Sequence, residues 1–143
     1  MTLRELLTSL AQTMPQDERP TLPAGDAPLE QRVLGVTHDS REVKPGVIFV
    51  ALRGFKLDGA AFVPAAVAAG AAVIVSEQPL TARVPTIVVR DARLALAYLA
   101  AEFYGHPSRQ MQVVGVTGTN GKTTTRYLIN AIFEAAGVQC GLM

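Results

Sequence analysis

Lys122 and the hydroxyls of Thr123 and Thr124 follow a glycine-punctuated stretch, Gly115-Val116-Thr117-Gly118-Thr119-Asn120-Gly121. These residue types in this order can hold a polyphosphate. Gly118 and Gly121 let the backbone curl so that successive N–H groups converge on phosphate oxygens. Lys122 can reach the β- and γ-phosphates, and the Thr123 hydroxyl can ligate Mg²⁺. An apolar run, Met111 to Thr117, leads in as an expected strand, and a helical pattern leads out, so a helix N-terminus would add its partial positive charge. A strict phosphate-binding loop has glycine at position 116, where this chain has Val116 after Gly115. The pattern is therefore met in its Gly-Lys-Thr half, and a purely structural glycine turn is the competing reading.

A second polar group, Asp39-Ser40-Arg41, follows an expected strand at 33–37 and precedes another at 47–52. Its short connection places these side chains at a sheet end, where ligands often sit. Taken alone, the trio also reads as a turn with an Asx-type hydrogen bond. Lys44-Pro45-Gly46 is turn chemistry. His38 and His106 are too scattered for a metal centre, and Cys140 is the only cysteine, which excludes a disulfide framework and a cysteine-based zinc site.

The elements that must carry these groups alternate along the chain. Leu3, Leu6, Leu7 and Leu10 predict a short amphipathic helix over 2–12. Residues 14–29 hold four prolines and read as an irregular connector. An Ala-rich helix is expected from Phe62 to Gly70, with strands at 71–76 and 86–89. Asp91 should cap a helix through Tyr104, with Leu96, Leu99 and Phe103 on one stripe and Gly105 and Pro107 stopping it. After a linker at 106–110 come the strand and loop described above. The final helix carries Ile129, Ile132, Phe133 and Ala136 on one face and ends at Gly137, and 138–143 reads as the start of a further strand.

This is an α/β pattern: a small α/β domain through about residue 108, then the first β-loop-α unit of a second, phosphate-loop domain over 109–143. One such unit cannot complete a parallel sheet, which leads to the expectation of an N-terminal piece of a larger enzyme. Thirteen basic residues against twelve acidic ones leave no charge footprint for nucleic acid or an anionic membrane. The longest apolar stretch, 63–75, contains Pro64 and Gly70 and is too short to span a bilayer. A cytoplasmic protein is the expectation.

Together the segments resemble the Mur ligases, in particular their tripeptide synthetases. The resemblance is carried by Asp39-Ser40-Arg41, Val43, Pro45-Gly46, Phe49-Val50-Ala51, Gly54, Asp58-Gly59 and Phe62. It continues through Ala95, Ala97, Phe103-Tyr104-Gly105-His106-Pro107-Ser108 and Gly115 to Thr124. An aliphatic residue at position 116 is usual in that family. The resemblance implies that residues 1 to about 108 hold the UDP end of a UDP-muramyl peptide, with Ser40, His38 and the segment Phe55-Lys56-Leu57 at the uridine. Gly118, Thr119, Asn120, Gly121, Lys122, Thr123 and Thr124 would bind ATP, with Lys122 catalytic and Thr123 on Mg²⁺. In the implied reaction ATP phosphorylates the D-glutamate carboxylate of UDP-MurNAc-L-Ala-D-Glu. The amine of meso-diaminopimelate or L-lysine then attacks the acyl phosphate and expels phosphate. The family's later metal ligands, modified lysine and amino-acid pocket would lie beyond Met143. Three other readings compete: the D-alanyl-D-alanine-adding ligase of the same family, a non-catalytic UDP-sugar-binding module, and a generic phosphate-loop switch.

Overall fold

The computed structural model of the chain describes residues 1–20, 29–54 and 58–142. It comprises two compact units, Met1–Pro107 and Ser108–Met143.

The first unit is built on a four-stranded, wholly parallel sheet in sequential order: β1 (Gly35–Thr37), β2 (Val47–Val50), β3 (Val73–Ser76) and β4 (Thr86–Val88). The two central strands, Val47-Ile48-Phe49-Val50 and Val73-Ile74-Val75-Ser76, are buried throughout, so apolar residues run without alternation. Their odd and even positions serve two cores. Ile48, Val50, Val73 and Val75 face a cluster with Leu3, Leu6, Leu10, Ala95 and Leu99. Phe49 and Ile74 face the other way, toward Val43, Val63 and Ala66. Helices α1 (Leu3–Thr13) and α3 (Ala92–Phe103) thus cover one face and α2 (Val63–Ala68) the other.

Local chemistry sets the ends. Thr2 Oγ1 accepts from the Glu5 backbone N–H at 3.2 Å while Glu5 Oε2 accepts from the Thr2 N–H at 2.8 Å, a reciprocal capping box. Asp91 caps α3 by accepting from the N–H groups of Arg93 and Leu94, as its place in the sequence predicts. Pro45 and Gly46 make a turn in which the Val47 N–H reaches the Lys44 carbonyl at 3.1 Å, with Gly46 at φ 85°. Strand β1 is shorter than the 33–37 expected because its lead-in bonds elsewhere. The Val33 N–H donates to the Met1 carbonyl, and Thr2 pairs with Arg32. The α3 stripe is also shifted from expectation. Ala92, Ala95, Leu99 and Glu102 are buried, while Leu96 and Phe103 pack at the margin.

In the second unit α4 (Lys122–Ala135) forms as expected and stops at Gly137, whose φ of 77° lets the 137 and 138 N–H groups close back on the Glu134 and Phe133 carbonyls. The strands expected at 111–117 and from 138 do not form among the described residues. A parallel strand needs a neighbour for its backbone groups, and 108–142 contains one long helix and a three-residue 3₁₀ turn at Pro107–Arg109 but no strand to pair with.

Candidate functional site

Asp39, Ser40 and Arg41 lie at the carboxyl end of β1, the edge of a parallel sheet where ligands are received. The Asx turn anticipated from the sequence is present: Asp39 Oδ1 accepts from the Arg41 backbone N–H and from Arg41 Nε, both at 2.9 Å. A second pairing, Arg41 guanidinium to Asp39 Oδ2, makes the contact bidentate. Thr37 Oγ1 accepts from the Asp39 N–H at 3.1 Å and donates to Glu42. These contacts fix the loop around Ser40, whose hydroxyl takes part in no hydrogen bond among the described residues and is half-buried. The Arg41 side chain and backbone N–H together hold the Asp39 carboxyl down at about 2. His38 is exposed beside it. Phe55, Lys56 and Leu57, the other expected uridine contacts, lie outside the described residues.

The sequence marks 53–59 as a glycine-flanked loop, but the pairing that makes the neck at its base, which is described, was not anticipated. Arg53 and Asp58 pair as an isolated antiparallel bridge, and the Gly59 N–H donates to the Leu52 carbonyl at 2.9 Å. Asp58 Oδ1 then accepts from the Ala60 N–H, starting the 3₁₀ turn Gly59–Phe62 that leads into α2. A side chain at 59 would stand 2.6 Å from the Leu52 backbone N and O, so only glycine lets the neck close this tightly. The signal available in the sequence was Asp58-Gly59 itself, a turn dipeptide five residues beyond Arg53-Gly54. A cleft at the carboxyl ends of β2 and β3 adjoins the neck, lined by Arg53, Asp58, Ser76, Glu77 and Gln78 among others.

In the second unit Gly118 takes φ 147° and Gly121 takes φ 75°, so both loop glycines that the chemistry asks for adopt conformations that favour glycine. Gly121 is the N-cap of α4 and supplies no side-chain cap, which leaves the first-turn N–H groups for an anion. The Lys122 ammonium folds over the loop and donates to the Gly118 carbonyl, with the Thr119 carbonyl at 3.5 Å. A curled loop, open helix N–H groups and an ammonium held over them fit a nucleoside triphosphate. Among the described residues no three His, Cys, Asp or Glu side chains gather to hold a metal ion. The Thr123 hydroxyl, at the start of α4, is the group in this loop that could ligate a Mg²⁺.

Two family comparisons bear on this arrangement. Residues 32–104 match the Mur ligase family, catalytic domain, and residues 116–143 match the Mur ligase middle domain. The chain belongs to the Mur ligase family. It is 52% identical over 124 residues to the UDP-N-acetylmuramyl-tripeptide synthetase of Roseiflexus sp. (strain RS-1), covering 85% of this chain and 24% of that protein. A solved structure of a UDP-N-acetylmuramoyl-L-alanyl-D-glutamate–2,6-diaminopimelate ligase superposes with a TM-score of 0.69 at 27% identity, over 100% of this chain and 27% of that one. The MurF ligase of Thermotoga maritima in complex with ADP gives 0.57 at 33% identity, over 73% of this chain and 24% of that one. The chain thus spans about a quarter of the length of the Mur ligases it matches. Among the described residues no helix is long and apolar enough to cross a membrane.

Proposed function

We propose that this chain carries the substrate-receiving and ATP-binding parts of a Mur ligase that joins a diamino acid to UDP-MurNAc-L-Ala-D-Glu through an acyl phosphate. The observation that carries the reading is the 52% identity to a tripeptide synthetase across 124 residues that include both polar groups. Residues 1–108 form the UDP-substrate domain and 109–143 the start of the ATP-binding domain. Ser40 donates its hydroxyl to the uridine end, with His38 and the segment Phe55-Lys56-Leu57 beside it. Residues Gly118 to Thr124 hold ATP, whose bound form supplies an activated phosphoryl group. Lys122 turns its ammonium from the loop carbonyls to the phosphate oxygens and offsets the charge that builds there. Thr123 provides the protein's hydroxyl ligand to Mg²⁺. Diaminopimelate is the residue named for relatives such as the ligase of Aquifex aeolicus, and an amino acid of that class is the proposed acceptor. The protein works in the cytoplasm, where UDP-linked precursors and ATP are found together.

Calorimetric titration of the 143-residue chain tests the reading. UDP-MurNAc-L-Ala-D-Glu should bind, and Ser40→Ala should weaken it by about 2–10-fold, the worth of one neutral hydrogen bond. Tighter binding of the tripeptide-bearing nucleotide would favour the D-alanyl-D-alanine-adding ligase, a reading kept open by the likeness to MurF. Indifference to both muramyl peptides would leave a phosphate-loop switch. The chain by itself is expected to form no amide bond, and product from residues 1–143 alone would overturn that expectation.

A further inference from the structure

The end of α3 holds a charged group that neither polar site uses. Glu102 is 7% exposed, on the side of α3 that faces α1. Its Oε2 accepts from the Ser9 hydroxyl and its Oε1 from the Thr13 hydroxyl at 2.8 Å, both on α1. His106 Nε2 completes the set at 3.0 Å from Oε1. The Thr13 hydroxyl also lies 3.1 Å from the Ser9 carbonyl, but its one proton goes to the carboxylate, the stronger acceptor. Burial pushes the Glu102 carboxyl up, and the two hydroxyls and His106 together outweigh it and hold the group below the ordinary carboxylate value. A buried carboxylate is costly unless donors surround it, and here Ser9, Thr13 and His106 do.

What depends on it is the path of the chain. His106 is the only non-glycine residue with positive φ among the described residues, at 53°. Its N–H closes on the Ala101 carbonyl at 2.7 Å while the Gly105 N–H closes on that of Glu102. A left-handed histidine persists only when its surroundings hold it there. Here the imidazole is anchored to a carboxylate that is itself anchored to α1. The other end of α1 is tied to the lead-in of β1, through the Leu3 N–H to the Gln31 carbonyl and the Thr2–Arg32 pairing. Helix α1 therefore runs as a strut from the base of the strand that carries Ser40 to the point where the chain leaves the first unit.

We propose that Glu102 is the positioning residue through which α1 holds His106 in its left-handed turn at the end of the first unit. This role stands apart from the ligase reading. The clasp itself is tested without substrate or nucleotide, so the two can fail separately.

The test is amide hydrogen exchange on the whole 143-residue chain. Removing the α1 donors with Ser9→Ala and Thr13→Val should lower protection of the His106 amide by at least about tenfold, although neither residue touches that amide. Protection of the Ile48 and Val75 amides should stay as in the parent. Glu102→Gln should act likewise, and nitrogen NMR should show the His106 Nε2–H signal losing its hydrogen-bonded shift in both variants. Thr13→Ser, which keeps the hydroxyl, should retain the parental protection. If the double variant fails to fold, Thr13→Val read against Thr13→Ser decides the matter. Unchanged protection at His106, or an equal loss across the sheet, would overturn the proposal and leave Glu102 an ordinary packing residue.

Discussion

Asp39 and Arg41 show how a short polar turn becomes a rigid one. The guanidinium and backbone N–H of Arg41 stabilise the charged carboxylate and lower it from 3.8 to about 2. A carboxyl lowered on folding adds stability that is full above its unfolded value and is lost as pH falls through the folded value. The Asp39–Arg41 turn should therefore persist through mild acid and release between about pH 4 and 2. A carbon NMR titration of the Asp39 carboxyl should give a midpoint near 2 in the parent and a higher one in Arg41→Gln, which keeps the backbone N–H but loses the guanidinium. Lys122 is the second residue-scale case. With its ammonium poised over the loop carbonyls, Lys122→Ala should weaken MgATP binding by about 10–100-fold, the worth of a charge-assisted contact. Titration calorimetry reads this directly, and binding within a factor of two of the parent would remove Lys122 from the site.

At the scale of elements, the neck at 52–59 is the least tolerant part of the first unit. A methyl group at 59 would press on the backbone of Ala51 and Leu52, which cannot swing aside as a side chain does. Gly59→Ala should cost about 1–3 kcal/mol of stability, measured by urea unfolding of the sheet's circular dichroism signal. The sequence made some elements plain and hid others for physical reasons. Strands β2 and β3 announce themselves because a sheet covered on both faces asks for unbroken apolar runs, and the Asp91 cap and Gly137 stop are local chemistry that needs no tertiary context. Glu102 could not be picked out, because a glutamate on a helix reads as solvent-facing until Ser9 and Thr13, nearly the whole first unit away in sequence, are brought to it. The stretch 111–117 misled in the opposite way. Its β-branched residues fit a strand, but a strand is completed by its neighbours, and local propensity cannot supply them. The phosphate loop was legible down to its two positive-φ glycines, since loop curvature depends on few residues.

At the scale of the whole molecule the two units differ in what they bury. The first has two cores on either side of its sheet, whereas none of residues 108–142 is buried, and Val113, Val114, Leu128 and Ile132 are exposed. Amide exchange should separate them, with β2 and β3 protected to the limit of global unfolding and 108–142 exchanging many-fold faster. Equal protection in both units would contradict the burial pattern. The sequential order of the parallel strands has a consequence for synthesis on the ribosome. Each strand can dock beside the one before it as soon as it emerges, so the sheet can grow in the direction of translation. Helix α1 is the exception. Its Ser9 and Thr13 hydroxyls wait for Glu102 of α3, some ninety residues later, which at typical elongation rates is roughly 5–20 s. During that interval the hydroxyl side of α1 lacks the carboxylate it will bind, so its final seating follows the sheet instead of leading it.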